Sequence, residues 1–249
     1  MSRVPWERRN YPVFVGKHYK AEWDSAAGDG MADHPKYNKA KNEAGVSAAL
    51  SVVKSCLSHA YLAQMKNALR IMEEKGFEKP VLVAPYRKDS KNMLARTAAA
   101  YLGEQLGLEV DTAIVELPGK KRKGMDKLER FFNVPAYGGE VKKNKAYIAV
   151  DDMITTGGTL SELRSYIDSK GGRFLFSCVL ASPDGKNTVL NPQPAQTEAV
   201  YKNLGQHLAK WFENASGLDI KTLTNAETMF LGTKAGKDTL SRGGAFAPA

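Results

Sequence analysis

The chain has 249 residues, 43% of them hydrophobic and 25% charged, with a formal net charge of +9. This composition is ordinary for a soluble globular protein, and the length allows one α/β domain with extensions. No apolar run reaches the roughly eighteen residues of a membrane span, and no apolar signal core follows the N-terminus, so we expect no membrane insertion, no export and a cytoplasmic location.

Two cysteines and the excess of positive charge add little to these limits. Cys56 and Cys178 both lie in apolar patterns, so we predict buried free thiols in a reducing compartment, and no Cys/His spacing suits a metal site. The net positive charge suits an anionic substrate and would suit nucleic acid equally well. Charge alone therefore does not decide the ligand.

The first half of the chain predicts an arm followed by helices and strands. Residues 1–41 show no clear periodicity and predict an irregular arm with a short strand at Pro12 to Val15. Apolar residues then recur at three- and four-residue steps from Asn42 to Lys75, which predicts one long helix or two consecutive ones. The next segments predict a strand, a helix and a second strand, at Pro80 to Ala84, Met93 to Leu106 and Glu109 to Val115.

The second half continues the alternation of strands and helices. Strands are predicted at Ala146 to Val150 and Phe174 to Leu180, with a helix from Thr159 to Lys170 between them. Helical patterns follow at Thr197 to Phe212 and Asn225 to Leu231, and the last dozen residues look frayed. We therefore predict an α/β fold with a doubly wound parallel sheet, divided into an arm (1–41), a core (42–181) and a C-terminal helical extension (182–249).

The turn between the strand ending at Val150 and the following helix has the chemistry of a sugar-phosphate site. Unpaired backbone N–H groups at a helix start favour a phosphate, glycines at 157 and 158 allow close approach, and Thr155, Thr156 and Thr159 add hydroxyl donors. Carboxylates at 151 and 152 accept hydrogen bonds from vicinal sugar hydroxyls and help to hold hydrated magnesium. This pattern points to a ribose 5-phosphate.

The stretch from Ala146 to Thr159, A-Y-I-A-V-D-D-M-I-T-T-G-G-T, closely resembles the phosphoribosyl-pyrophosphate (PRPP) motif of the type I phosphoribosyltransferases. It lacks both the G-K-[ST] ending of a P-loop and the G-x-G-x-x-G of a dinucleotide-binding fold. The resemblance implies that Asp151 and Asp152 are catalytic and bind Mg²⁺ through water. It also implies that residues 155–159 hold the 5-phosphate.

Two further segments resemble parts of the same family. V-L-V-A-P-Y-R-K takes the place of the pyrophosphate loop, with Tyr86, Arg87 and Lys88 as candidates, although solvated loop charges are an alternative. The stretch from Leu117 to Gly139 resembles the flexible catalytic loop of ComF-type competence phosphoribosyltransferases. Four consecutive basic residues, 120–123, would form a cationic flap over the diphosphate, with Lys121 and Arg122 as catalytic residues.

The departures from that family leave several alternatives open. The ComF zinc-binding cysteines are absent, and the chain continues well past Ala181. Membership would imply transfer of 5-phosphoribosyl from PRPP to a nitrogen acceptor with release of pyrophosphate. Position 155 is Thr, whereas purine-salvaging members commonly have Asp there, so we disfavour 6-oxopurine acceptors. The alternative is a non-catalytic PRPP- or nucleotide-sensing module that binds a partner protein, or nucleic acid through the basic segment 120–145. A third possibility, implied only by the ComF resemblance, is a subunit of a DNA-uptake or DNA-transfer apparatus. Homodimer formation is left open.

Overall fold

The computed structural model describes residues 3–20, 29–119 and 124–243. Its main sheet has six strands in the order β3-β2-β6-β7-β1-β8, and all neighbours are parallel except β1 and β8. A separate antiparallel pair joins β4 to β5. The strands run over Pro12–His18 (β1), Val81–Val83 (β2), Val110–Asp111 (β3), Val115–Glu116 (β4), Tyr137–Gly138 (β5), Ala146–Met153 (β6), Arg173–Ser182 (β7) and Thr188–Val189 (β8).

Helices connect most of the strands and form the C-terminal part of the described chain. They run over Tyr37–Asn42 (α1), Val46–Cys56 (α2), His59–Glu74 (α3), Leu94–Leu106 (α4), Lys127–Phe132 (α5), Gly158–Ser169 (α6), Pro194–Ser216 (α7), Asn225–Leu231 (α8) and Lys234–Gly243 (α9). The predicted helix from residue 42 to residue 75 is two helices. The second begins at His59, after Ser58, whose hydroxyl accepts a hydrogen bond from the backbone N–H of Tyr61 and caps the new helix.

Both faces of the sheet are covered, as the doubly wound prediction requires. Alternate residues of β6 point to opposite faces, because side chains of a strand alternate. Ile148 and Val150 join the apolar cluster formed with α2, α3 and α4, whereas Tyr147 and Ala149 join the cluster formed with α6. The fold is therefore α/β with a central, mostly parallel sheet between two helical layers, and the prediction of fold class is confirmed.

The predicted arm (1–41) and the predicted extension (182–249) each supply a strand to this sheet, β1 and β8. Strand β1 lies between β7 and β8, with Val13 paired to Ser177 and to Thr188. Val13 and Val15 are buried on one face and Phe14 packs on the other, so this short run is a sheet strand. Its partners are distant in sequence, and local periodicity could not reveal them.

The predicted strand from Glu109 to Val115 is two short strands, because the chain leaves the main sheet after Asp111. The Asp111 carboxylate accepts a hydrogen bond of 2.8 Å from the backbone N–H of Ala113, which closes a turn. Val110 and Asp111 stay in the main sheet as β3, and Val115 starts the separate β4–β5 pair. The turn thus directs the following segment towards the carboxyl edge of the sheet.

A third apolar cluster holds the C-terminal helices together. Phe212 and Val200 of α7 and Leu231 of α8 are fully buried in it, and Phe131 of α5 belongs to it as well. Helix α7 is longer than predicted and is interrupted at Gly205, where the backbone is not helical.

Cys56 and Cys178 are buried free thiols, as predicted. Within the described residues no single helix is long and apolar enough to cross a membrane, although α2 and α3, bent by 80°, satisfy length and composition together.

Candidate functional site

Two adjacent carboxylates lie at the carboxyl end of the central strand β6. Asp151 is paired with Val179 of β7 and is partly exposed, whereas the side chain of Asp152 is buried. The backbone N–H of Asp152 donates a 2.7 Å hydrogen bond to Asp151 Oδ1, so the first carboxylate is turned towards the second residue. In parallel sheets ligands bind beyond the carboxyl ends of the strands. The predicted pair therefore lies at the edge where ligands bind.

The Asp152 carboxylate is held by two residues that the sequence analysis did not identify. The ammonium group of Lys41, at the end of α1, forms an ion pair with Asp152 Oδ2. Asn92 Nδ2, from the loop before α4, donates a 3.0 Å hydrogen bond to the same oxygen. No pattern in the arm distinguished Lys41 from the other exposed lysines around it. Only the tertiary packing of α1, which lies against α2, brings it to the site.

These contacts give the two carboxyl groups opposite pKa shifts. Burial opposes the ionisation of Asp152, but the adjacent Lys41 charge and the hydrogen bonds from Lys41 and Asn92 outweigh it and lower its pKa. Burial and the neighbouring Asp152 charge raise the pKa of Asp151. The pair thus holds one firmly ionised carboxylate and one that a positive charge or a hydrogen-bond donor would help to ionise.

Two tyrosines, Tyr19 and Tyr37, also belong to the surroundings of Asp152. Tyr37 lies one turn before Lys41 on α1, and its hydroxyl is 3.2 Å from that of Tyr19. Burial, the hydrogen bond with Tyr19 and the Asp152 charge raise the pKa of Tyr37, so it remains a neutral phenol. The predicted arm therefore contributes Tyr19, Tyr37 and Lys41 to the site.

The turn after β6 has the geometry of an anion-binding site at a helix N-terminus. Gly157 takes the left-handed conformation (φ 78°) and α6 begins at Gly158. The first N–H groups of a helix have no partner within it, and the helix dipole adds partial positive charge there. Thr155 is exposed, Thr159 is half-buried and Thr156 is buried, so the first two hydroxyls are the accessible ones. The structure thus brings the predicted residues 155–159 together.

Gly157→Ala is expected to destabilise the protein by about 1–2 kcal/mol, because an L-residue is strained in the left-handed region. The new Cβ would also lie 2.6 Å from Leu190 Cδ1, which must move. Urea denaturation measures the loss. Gly76→Ala is the matched control, since Gly76 has a similar φ of 75° with no atom within 4 Å of a new Cβ. A smaller loss at position 157 than at position 76 would contradict the expected strain at the turn.

The turn is supported from behind by a buried charge cluster that we call the Arg3 cluster, formed by Arg3, Glu162 and Glu227. Arg3 Nε lies 2.7 Å from Glu162 Oε1, and its two Nη atoms lie 2.5 and 3.0 Å from the Glu227 oxygens. A Cβ at Gly158 would meet Glu227 Oε1 at 2.8 Å. The hydroxyl of Thr224 also donates a hydrogen bond to the carbonyl oxygen of Thr156. Residues from both ends of the described chain therefore fix this turn.

The predicted pyrophosphate loop lies next to the acid pair, since β2 is the neighbour of β6 in the sheet. Arg87, however, is occupied within its own loop. Its Nε and Nη2 donate to the two Asp89 oxygens at 3.1 and 2.9 Å, and Nη1 donates to the Gly119 carbonyl oxygen at 3.1 Å. Lys88 is exposed, and the Tyr86 ring lies under the Arg96 guanidinium at 4.0 Å. Lys88 is thus the freer of the two basic candidates.

The predicted flap lies between β4 and β5 in the sequence. Residues 120–123, which include the predicted catalytic residues Lys121 and Arg122, lie outside the described residues. Beyond them α5 is capped by Asp126, whose carboxylate accepts a 2.7 Å hydrogen bond from the backbone N–H of Glu129. Arg130 of α5 reaches the phosphate turn, where its Nη1 donates a 3.1 Å hydrogen bond to Thr155 Oγ1. Arg130 belongs to the basic segment 120–145, within which no sequence pattern distinguished it.

A cavity of about 410 Å³ opens beside the phosphate turn. Its walls are the turn itself, the connection from β7 to β8 and the start of α8. The polar residues lining it are Thr155, Thr156, Ser182, Asp184, Lys186, Asn187, Thr188 and Thr224. This volume lies in the range of small-molecule sites.

The described residues contain no group of three or more His, Cys, Asp or Glu side chains placed to hold a metal ion. Asp151 and Asp152 would supply at most two ligands, and one oxygen of Asp152 is already shared by Lys41 and Asn92. Mg²⁺ commonly binds through one or two carboxylates and completes its shell with water and substrate phosphates. The acid pair fits a magnesium ion held in this way, through water, together with a phosphorylated ligand.

Comparison with curated proteins finds two relatives of greater length. "Protein TraN" of Escherichia coli is 30% identical over 199 residues, which cover 79% of this chain and 43% of TraN. An "Uncharacterized protein" of Haemophilus influenzae is 28% identical over 158 residues, covering 59% of this chain and 34% of that protein. The chain thus spans less than half the length of either relative. No protein-family model matches it.

Solved structures with local similarity include phosphoribosyltransferases. A purine phosphoribosyltransferase from Pyrococcus horikoshii has a TM-score of 0.30 and 19% identity, covering 49% of this chain and 74% of that one. A hypoxanthine phosphoribosyltransferase from Trypanosoma cruzi has a TM-score of 0.35 and 14% identity, covering 57% and 66%. The ComF-type resemblance stays a prediction.

Proposed function

We propose that the protein binds PRPP and transfers its 5-phosphoribosyl group to a nitrogen acceptor, releasing pyrophosphate. One observation carries the proposal. A carboxylate pair and a phosphate-binding turn follow each other directly at the carboxyl end of the central strand, which suits a ligand with vicinal hydroxyls and a phosphate on one sugar. A phosphate alone would need no carboxylates, and a sugar alone would need no helix N-terminus.

The residues of the site have distinct tasks in this reaction. The turn from Thr155 to Thr159 binds the 5-phosphate, and Asp151 accepts hydrogen bonds from the ribose hydroxyls. In the transfer, the bond from the anomeric carbon to the pyrophosphate oxygen breaks with its electron pair, and a bond to the acceptor nitrogen forms. The acceptor loses a proton. Positive charge that develops on the ribose ring lies near the carboxylates, which offset part of it.

The diphosphate requires positive charge from several sources. Lys88 and the predicted flap residues Lys121 and Arg122 are the basic candidates from this chain, with Arg87 available once its pairing with Asp89 opens. Mg²⁺, held through water by Asp151 and Asp152 and by ligand oxygens, would supply further charge neutralisation for the leaving group. Proton removal from the acceptor has no carboxylate at position 155 to perform it. An amine, or a base activated elsewhere, is therefore the proposed acceptor class, and the 410 Å³ cavity is its proposed entry.

A second candidate is a module that binds PRPP or a nucleotide without catalysing transfer. The observation favouring it is the Arg87 guanidinium, whose N–H groups are already bound to both Asp89 oxygens and to the Gly119 carbonyl oxygen. Such a module would signal to a partner protein or to nucleic acid, the latter through the basic segment 120–145. Nucleic-acid binding, a homodimer and a cytoplasmic location remain predictions from the sequence.

Thermal unfolding tests the binding step. PRPP with Mg²⁺, at about 100 times its Kd, should stabilise the folded protein by about 2.7 kcal/mol, since the ligand binds only the folded state. The variant carrying Asp151→Asn and Asp152→Asn should lose this shift. The control carries Glu74→Gln and Glu109→Gln, which remove the same charge at exposed positions, and should keep it. Absence of a shift in the unmodified protein would refute the proposal.

Pyrophosphate release then separates the enzyme from the binding module. We expect release of pyrophosphate from PRPP in the presence of at least one member of a panel of nucleobases and amines. Binding of PRPP without release across the whole panel would favour the second candidate.

A further inference from the structure

We propose that Arg130 binds the 5-phosphate of the ligand, and that the C-terminal helices hold this arginine in place. This inference rests on the proposed function and deepens it. Phosphate recognition in this site would then combine a side-chain cation with the helix N-terminus and the threonine hydroxyls. It would also give the C-terminal helices, whose role the sequence left open, a part in ligand binding.

The position of Arg130 is the first observation. Its guanidinium lies on the exposed side of the phosphate turn, where Nη1 donates to Thr155 Oγ1 at 3.1 Å. Nε donates to the carbonyl oxygen of Met125 at 3.1 Å, which fixes the plane of the group. A guanidinium in contact with an exposed threonine hydroxyl can donate to the same phosphate as that hydroxyl, and its planar fork suits two phosphate oxygens.

The charge balance around the turn is the second observation. Behind the turn the Arg3 cluster has two carboxylates for one guanidinium, and Glu227 is in contact distance of a Cβ at Gly158. A dianionic phosphate seated on the turn would therefore meet an acidic environment from behind. The Arg130 cation lies on the open side and opposes this repulsion at short range.

The packing of α5 is the third observation. This six-residue helix belongs by sequence to the segment between β4 and β5, yet it is joined to the C-terminal core. The ring of Phe131 is buried, with its centroid 5.3 Å from that of Phe212 in α7 and 6.4 Å from that of Phe230 in α8. The capping box of Asp126 and Glu129 fixes the start of the helix.

The same C-terminal unit contacts the turn a second time. Thr224, which caps α8, donates its hydroxyl hydrogen to the carbonyl oxygen of Thr156. The unit thus holds the turn directly on one side, and on the other it carries the helix that presents Arg130. This double attachment fixes the distance between the guanidinium and the turn, which is the condition for a preorganised phosphate site.

Calorimetric titration with ribose 5-phosphate, and separately with inorganic pyrophosphate, tests the inference. Arg130→Gln should weaken ribose 5-phosphate binding by about 10- to 100-fold, the range for a lost hydrogen bond to a charged group, and should leave pyrophosphate binding nearly unchanged. Arg130→Lys should recover part of the loss, because lysine keeps the charge without the fork. Lys202→Gln, which removes one positive charge at an exposed position of α7, is the control and should stay within about twofold of the unmodified protein, since solvent and salt screen such a charge.

A double-mutant cycle tests the anchoring. Phe212→Leu should weaken ribose 5-phosphate binding in the unmodified background and have little further effect with Arg130→Gln, because both changes act through one contact. Equal losses for both ligands, or no loss with Arg130→Gln, would overturn the inference while PRPP binding by the unmodified protein leaves the proposed function intact. If the unmodified protein binds neither PRPP nor ribose 5-phosphate, the proposed function and the inference both fail.

Discussion

Arg3→Met is expected to destabilise the protein by about 3–5 kcal/mol, because it leaves two buried carboxylates without their positive partner. The side chains of Arg3, Glu162 and Glu227 are 1%, 8% and 4% exposed, so water cannot replace the lost ion pairs. Burial already raises the pKa of Glu162 with Arg3 present. Chemical denaturation followed by circular dichroism measures the change in the free energy of unfolding.

A surface arginine provides the control for this prediction. Arg70→Met removes an exposed pair with Glu74 at i,i+4 and should change stability by less than about 1 kcal/mol. Adding Glu162→Gln and Glu227→Gln to Arg3→Met should restore part of the stability, since the uncompensated charge is then removed. A loss for Arg3→Met no larger than that for Arg70→Met would show that the cluster contributes little to the fold.

Asp151→Asn is expected to stabilise the ligand-free protein by about 1–3 kcal/mol at about pH 9, and by less at about pH 5. Burial and the charge of Asp152 raise the pKa of Asp151 in the folded state. Stability linked to such a group is present below its unfolded pKa and is lost as the pH rises through the folded pKa. Asparagine at position 151 does not ionise, so the variant keeps this stability as the pH rises. Urea denaturation in the presence of a chelator, at both pH values, measures the difference.

The neighbouring carboxylate should behave in the opposite way. The pKa of Asp152 is lowered, so its contribution to stability is present above the unfolded pKa and is lost as the pH falls through the folded one. Asp152→Asn should therefore destabilise the protein at neutral pH, because Lys41 loses its partner. If Asp151→Asn and Asp152→Asn changed the free energy of unfolding in the same direction, the opposite pKa shifts of the two carboxyl groups would be contradicted.

Sequence reasoning predicted the fold wherever a pattern was local. The strand of β6, the glycine-rich turn and α6 follow one another in a single stretch, and apolar runs located β2 and β7. The reasoning failed where partners are distant. Nothing near Pro12 indicates that β1 pairs with residues around 177 and 188, and the turn at Asp111 that splits the predicted third strand depends on one side-chain hydrogen bond.

The site divides in the same manner. Asp151, Asp152 and residues 155–159 came from a contiguous motif, and the structure brings them together. Three further residues reach that motif from other parts of the fold, so no spacing of residues in the sequence could predict them. They are Lys41, Asn92 and Arg130. Arg87 is the opposite case, a residue that the sequence pattern favoured. Its guanidinium suits a diphosphate, but in the structure it is hydrogen-bonded to the carboxylate of Asp89, two positions later.

The position of β1 has a consequence for how the chain folds during synthesis. Strand β1 is synthesised before its partners β7 and β8 and cannot pair until both have been made. Arg3 cannot form its ion pair with Glu227 until still later, because Glu227 lies 224 residues away in sequence. Contacts of such separation slow folding, and an unpaired apolar strand can join the wrong neighbour meanwhile. We therefore expect nascent chains stalled before β7 to lack a protease-resistant N-terminal strand. Protection should appear only after β8 has left the exit tunnel.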